Sequence, residues 1–420
     1  MRKTRFAPGR FLAIAMIAFL LAVVLSPVLA DDTESMTVSS STGGETDVKD
    51  YAWKIVTVDE TTKDNRIKDG GLYTSLAIGN DGRPHISYYS PGWGGVRYAT
   101  RNGDTWDLAT VVGADGTTRT AIALSPITGE PTIIYFTLTG FLGSDIDYGH
   151  YTKLNYASLR NVTWEYHQLA ISNIREYAVR FDPSGLAHVA AGKIAIGTNE
   201  PPKILYYNGF SEESEPDFWY VRRFDLKDIS VTEAREPSLA LTSTGHPMFA
   251  FRTSRMGQHS DLRLIENKGD GSSPITVVDD ANNWGDNGYF PSLALDSAGN
   301  PHISYRNQNP HDTSNNGLRY AYRSSGTWTL ENVDHGDMQW TSLVIDKNDR
   351  AYISYEDHAN GSLKVASRDR PGDPWVIQEV DTGMVGSCTS VAINPVTGLP
   401  AISYHDSAHN ALKYAEMVEV

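Results

Sequence analysis

The chain has 420 residues, 40% hydrophobic and 21% charged, with a formal net charge of −15 and a single cysteine. One cysteine excludes an intrachain disulfide, and 36 Gly with 20 Pro is the share of an ordinary globular chain, which excludes collagen-like and low-complexity classes. The acidic balance argues against nucleic acid or an anionic membrane face as a partner, and 22 Tyr with 9 Trp favour strands over helices.

Residues 1–30 carry Arg2, Lys3, Arg5 and Arg10 but no acid, then an apolar run from Phe11 to Leu25, then Val28-Leu29-Ala30. That is the layout of a secretory signal peptide with a small-residue cleavage site. Cleavage before Asp31 would leave 32 bases against 51 acids, a net charge of −19. The rival reading is an uncleaved N-terminal anchor, since residues 11–30 match the thickness of a bilayer. Both readings place the rest of the chain outside the cytoplasm: secreted, at the cell surface, or periplasmic. Residues 31–50 hold six acids against one Lys in a Ser/Thr/Gly-rich run, which predicts a disordered acidic spacer.

The remainder, residues 51–420, is periodic. Ser75-Leu-Ala-Ile-Gly-Asn-Asp-Gly-Arg-Pro-His-Ile-Ser-Tyr88 reappears as Ser292-Leu-Ala-Leu-Asp-Ser-Ala-Gly-Asn-Pro-His-Ile-Ser-Tyr305. Drifted copies start at Ala121, Tyr177, Ser238, Ser342 and Ser390, which makes seven. Such a period, with several short strands per unit, is that of propeller blades. Each unit parses into four strands. The first is Ser-Leu-Ala-Ile/Leu. A Gly-x-Pro turn such as Gly82-Arg83-Pro84 leads to the second, His-Ile-Ser-Tyr. The third is Leu-x-Tyr-Ala, as in Leu318–Ala321, and the fourth starts at a Trp and ends near Val-Asp. The last copy lacks its Trp strand, and Trp53–Asp59 is a Trp strand with nothing before it. The prediction is an all-β, seven-bladed β-propeller of four-stranded blades, closed by the N-terminal strand completing the last blade.

This pattern resembles the BNR or sialidase-like propellers and the bacterial propeller lectins built from similar repeats. The Asp-box of that superfamily survives in part at Gly103-Asp-Thr-Trp106, where Ala99 and Arg101 stand in place of its Ser and Asp. Gly372-Asp-Pro-Trp375 keeps less. Arg83-Pro84 looks like a sialidase Arg motif but falls in a turn at the wrong face. The resemblance implies the fold and glycan ligands, not sialidase activity.

Two repeat positions vary where a core would be uniform, and both should crowd the channel mouth. One reads Tyr89, Phe136, Gly192, Arg252, Arg306, Glu356, His405; the other Tyr73, Arg119, Arg175, Glu236, Phe290, Trp340, Cys388. Arg119, Arg175, Arg252 and Arg306, with Arg235 beside Glu236, are candidates to bind a carboxylate or sulfate by forked hydrogen bonds. The competing reading pairs them with Glu between neighbouring blades. Six Trp (53, 106, 164, 219, 328, 375) occupy the repeat position and are expected to pack blades. Trp93, Trp284 and Trp340 fall in loops and are candidates to stack on sugar faces. His85 and His302 are repeat positions and read as structural.

The expected function is therefore a secreted propeller binding, at its channel-mouth face, a glycan or another polar or anionic ligand, such as a cell-surface or matrix polymer. The alternatives are a polysaccharide lyase or sialidase-like hydrolase, with His405, Tyr89, Glu356 and Glu236 as catalytic candidates, and a cell-surface interaction module. Cys388 near His405 reads as a buried thiol rather than a nucleophile. No metal or cofactor motif is present, and only weak calcium sites at Asp145-Ile-Asp147 and 280–287 suggest themselves. Asn161-Val-Thr163 is a glycosylation sequon, meaningful in a host that uses it.

Overall fold

The computed structural model describes residues 28–29, 35–38, 50–60, 70–113, 119–138, 152–172, 174–193, 202–210, 220–226, 233–254, 259–280, 285–309 and 313–420. Among them the secondary structure is strand throughout, apart from single 3₁₀ turns at Pro91–Trp93 and Thr313–Asn315. The first full copy shows how the repeat folds. Leu72–Ile78, Pro84–Ser90, Gly95–Asn102 and Thr105–Gly113 pair antiparallel in chain order. The turn between the first two needs a left-handed residue, and Gly82 supplies it at φ 81 while its N–H bonds the carbonyl of Gly79 at 2.8 Å.

The expectation of seven separate four-stranded blades is corrected by the strand pairing. Five blades stand as sheets of their own, each built on four strands. The copies that start at Ser238 and Ser292 instead run together as one eight-stranded sheet. The cause is local. The strand Asp286–Leu295 starts early, so Asp286 makes a parallel bridge to Ser260 in Ser260–Glu266. Ser260 N–H also bonds the Asp286 carboxylate at 3.1 Å, and its hydroxyl bonds the Asn287 carbonyl at 3.1 Å.

First strands line the axis and follow one another around a ring: Leu72–Ile78, Thr120–Leu124, Ile174–Phe181, Glu233–Leu241, Asp286–Leu295, Met338–Ile345, Val385–Ile393, and back to the first. Tyr51–Asp59 pairs with the C-terminal strand Ala411–Glu419, so the first and last strands of the repeat region share one sheet. Ser35–Val38 adds to the outer side of that sheet, and Val28–Leu29 pairs with Thr105 and Trp106. The rest of the expected signal segment and acidic spacer lies outside the described residues.

Repeated side chains stitch neighbouring units together, which explains the motif letter by letter. The leading Ser of one copy accepts the amide of the next: Ile122 to Ser75, Leu293 to Ser238, Leu343 to Ser292, Val391 to Ser342, and Leu76 to Ser390 across the closure, all at 2.9–3.2 Å. The Tyr of His-Ile-Ser-Tyr donates to the Asp that ends the preceding fourth strand: Tyr88 to Asp59 at 2.5 Å, Tyr305 to Asp279 at 2.6 Å, Tyr355 to Asp334 at 2.8 Å, Tyr404 to Asp381 at 2.6 Å. A third-strand cation completes each set: Arg97, Arg319, Lys364 and Lys413. Each of these carboxylates thus has both a donor and a countercharge.

The repeat Trp residues pack blades as expected. Trp106 meets Tyr414 edge-on at 5.3 Å, Trp164 meets Tyr98 at 5.4 Å, and Trp375 meets Tyr320 at 5.0 Å. Trp219 lies outside the described residues. His85 and His302 are structural, bonding Tyr98 and Tyr320 through Nδ1, and His188 does the same with Tyr206. Burial pushes the His85 imidazole down to about 4, and lowers His188 and His302 as well.

Candidate functional site

One repeat position carries an unusual backbone. Tyr73, Glu236, Phe290, Trp340 and Cys388, two residues before the leading Ser, all have φ between 51° and 56°. Non-glycine residues rarely adopt this left-handed region, which costs on the order of 1–3 kcal/mol each. In each case the strand slips register at the same place, between residues such as Gln339 and Ser342. The bulge frees side chains from the sheet and turns them into the channel mouth.

Neighbouring units hold these bulges in place. The carbonyl of Tyr73 accepts the Thr120 hydroxyl, and that of Phe290 accepts Thr341, each at 2.9 Å. The Glu236 N–H donates to the Glu176 carboxylate at 2.6 Å, and the Phe290 N–H donates to the Glu236 carboxylate at 2.9 Å. Glu236 is therefore both a bulge residue and the anchor of the next bulge.

The result is a cavity of about 160 Å³, lined among others by Arg119, Glu176, Glu236, Phe290 and Trp340. Its aromatic wall is continuous. Trp340 lies 4.6 Å from Phe290 and 5.9 Å from Tyr73, ring centre to ring centre. The Arg119 guanidinium stands 5.4 Å from the Tyr73 ring and 5.9 Å from that of Trp340. Arg119 pairs with Glu176 at 3.6 Å, and Arg252 pairs with Glu236 at 3.6 Å. Burial and the adjacent Glu176 raise the Glu236 carboxyl, against the pull of Arg252 and the Phe290 amide.

A second cavity lies beside the first, lined by Arg306, Gln308, Thr313, Asn316 and Asp337. Arg306 pairs with Asp337 at 2.8 Å and bonds Gln308 at 3.1 Å. Tyr289 joins the two regions, with Arg252 at 4.1 Å and Arg306 at 5.8 Å from its ring. Next along the ring, Glu356 bonds His358 Nδ1 at 3.1 Å, and burial raises its carboxyl. His405 is buried, with Nδ1 facing the Ser387 and Ser407 hydroxyls at 3.1 and 3.2 Å.

The structure thus brings Arg119, Glu236, Arg252 and Trp340 to one cavity and its border, and sets Arg306 in the adjoining one. Arg235 turns to Glu233 in a two-pronged ion pair at 2.6 and 2.8 Å. Arg175 belongs to the strand Ile174–Phe181, but its side chain lies outside the described residues, as does Trp284. Trp93 is 41% exposed and stacks on Arg97 at 4.5 Å, outside the cavity lining. Tyr89 sits between Leu72 and Val96 in its sheet. Asp145 and Asp147 are outside the described residues. Sequence reasoning passed over Glu176, Tyr289 and Asp337. A signal for Glu176 was present once its copy is aligned on His188: it then stands where the other copies carry Tyr73, Arg119, Glu236, Phe290, Trp340 and Cys388.

No family model and no curated protein matches the sequence. Solved structures do. The chain is similar to a protein of unknown function from Dyadobacter fermentans, at 11% identity and TM-score 0.53, covering 87% of this chain and 99% of that one. It is similar to the polysaccharide lyase Uly1, at 9% identity and TM-score 0.55, covering 94% and 99%. It is also similar to a polysaccharide lyase of family PL25, an ulvan lyase bound to -[GlcA(1-4)Rha3S]-, at 12% identity and TM-score 0.55, covering 86% and 96%. At such identities the likeness is one of fold alone.

Proposed function

We propose that the chain binds a glycan at the channel mouth, with a sugar face laid on the Trp340–Phe290–Tyr73 wall. The observation that carries this reading is a concave, partly open site whose aromatic residues are held in a strained backbone by bonds from neighbouring blades. Strain kept at a cavity is a mark of function rather than of packing. Arg119 and the Glu176–Glu236–Arg252 set offer donors and acceptors for hydroxyl and carboxylate groups around the ring face. Two of the similar structures are polysaccharide lyases, and the sugar bound to one of them makes a sulfated, uronate-containing polymer the first to test. The test is titration of the full chain with such a polymer and with neutral glycans, following tryptophan fluorescence. Trp340→Ala should abolish binding to whichever glycan is bound. Binding that survives Trp340→Ala undiminished would overturn the assignment.

A second reading is elimination on a uronate polymer. It is favoured by the arc of Arg306, Glu356 and His405, which offers a charge neutraliser, an acid and a base in adjoining units. Growth of the ultraviolet absorbance of an unsaturated uronate during incubation would establish it. Its absence with intact binding would leave the chain a binding module.

A further inference from the structure

Beyond the mouth, the inner strands enclose a channel of about 460 Å³. Its wall is mostly aliphatic and small-polar, and it holds one charged side chain, Arg180. The sequence makes this position conspicuous. In its sheet Arg180 pairs with His188, as Ala77 pairs with His85 and Ala294 with His302. The matching residues of the other copies are Ala123, Ala240, Val344 and Ala392. A ring of small aliphatics is interrupted once, by a guanidinium.

That guanidinium has no carboxylate partner among the described residues. Its hydrogen bond runs from Nη1 to the Val179 carbonyl at 2.8 Å. Nε and Nη2, the edge that fits a carboxylate in a fork, make no hydrogen bond among the described residues. Arg180 is exposed to water along the channel, and desolvation by the surrounding protein lowers its pKa below the usual guanidinium value. Hydroxyl protons are at hand too. Ser75, Ser292, Ser342 and Ser390 line the same channel, and each Oγ already accepts an amide from the next unit. Each O–H is thereby left to donate to a guest.

We propose that the central channel is an anion site, in which Arg180 takes a small carboxylate through its Nε–Nη2 edge. The site is separate from the mouth, shares none of its lining residues, and does not depend on the glycan reading.

The experiment uses the full chain and ¹³C-acetate, whose line broadening reports binding, with chloride as competitor. The wild type should broaden acetate, and Arg180→Leu, which puts an uncharged aliphatic side chain in place of the guanidinium, should abolish that broadening. Arg180→Lys keeps the charge without the fork and should weaken acetate about tenfold while chloride still competes. Broadening that is the same in the wild type and in Arg180→Leu overturns the proposal. Should Arg180→Leu fail to fold, unchanged acetate affinity in Arg180→Lys overturns it as well. Melting temperature gives an independent arm. Acetate should raise that of the wild type by roughly 1–3 °C near saturation and leave Arg180→Leu unmoved.

Discussion

Trp340 allows the strained mouth to be tested by a reversal of sign. Its φ is 53°, and its ring meets Phe290, Tyr73 and Arg119. Trp340→Ala removes two ring pairs, worth roughly 0.5–1.5 kcal/mol each, and one cation–π contact, worth about 0.5–1 kcal/mol. Lost apolar burial adds to that, so a total loss of about 2–4 kcal/mol is expected. Alanine still pays for the left-handed backbone, whereas glycine does not. Trp340→Gly should therefore be more stable than Trp340→Ala by about 1 kcal/mol. At Leu343, in the same strand but in regular extended backbone, the order must reverse, with glycine worse than alanine by roughly 0.5–1 kcal/mol. Urea denaturation of the four variants, with the slope of each transition compared, measures both differences. If alanine is the more stable replacement at both positions, the bulge stores no strain and the argument for a built mouth fails.

Two further outcomes follow from the buried polar contacts. Asp279→Ala strands the buried Tyr305 hydroxyl and the Arg319 guanidinium, and should cost about 3–5 kcal/mol, against about 1–2 kcal/mol for Tyr305→Phe. Equal costs in a denaturant titration would show that the set does not act as a unit. His85 titrates at 6.5 when unfolded but only at about 4 in the fold, so the folded state resists protonation. Its stability contribution is complete above the unfolded value and is lost as pH falls towards 4, by about 3 kcal/mol in total. His188 and His302 shift in the same direction and add to the loss. In His85→Phe, the fall in stability between pH 6.5 and 4 should be shallower than in the wild type, and an unchanged fall would refute the assignment.

Much of the architecture was legible because one motif recurs with its turns intact. Ser-Leu-Ala, Gly-x-Pro and His-Ile-Ser-Tyr mark strand, turn and strand, and the orphan Trp53 strand correctly foretold its pairing with Ala411–Glu419. The partition into sheets was not legible. It turns on where one strand begins, and the bridge between Ser260 and Asp286 has no periodic signature. Nor did the repeat reveal why its third strand keeps a cation after Val96, Leu318, Leu363 and Leu412. That pattern makes sense only once Asp59, Asp279, Asp334 and Asp381 are seen across the boundary. At the mouth, the register whose variation drew attention is the one that carries the left-handed backbone at five of its positions. The backbone reason, a left-handed bulge tolerated by five different side chains, was beyond a reading of residue types.

The arginines show why composition alone misplaces electrostatics. Arg119, Arg252 and Arg306 each meet a carboxylate, from Glu176, Glu236 and Asp337 respectively. An anion arriving at the mouth would have to displace or share those partners, so charge alone gives it little hold there. What the mouth has in excess is an aromatic face, together with paired groups able to bond hydroxyls on either side of it. Inside the channel the balance is reversed, because Arg180 faces aliphatic walls and serine hydroxyls with no acid among the described residues. On a chain with 15 more acids than bases, a cation without an acid partner among the described residues thus lies outside the cluster that the sequence makes obvious. It is the single arginine that breaks an otherwise aliphatic ring. The two features call for different ligands: a polyhydroxylated ring at the mouth, and a compact anion on the axis.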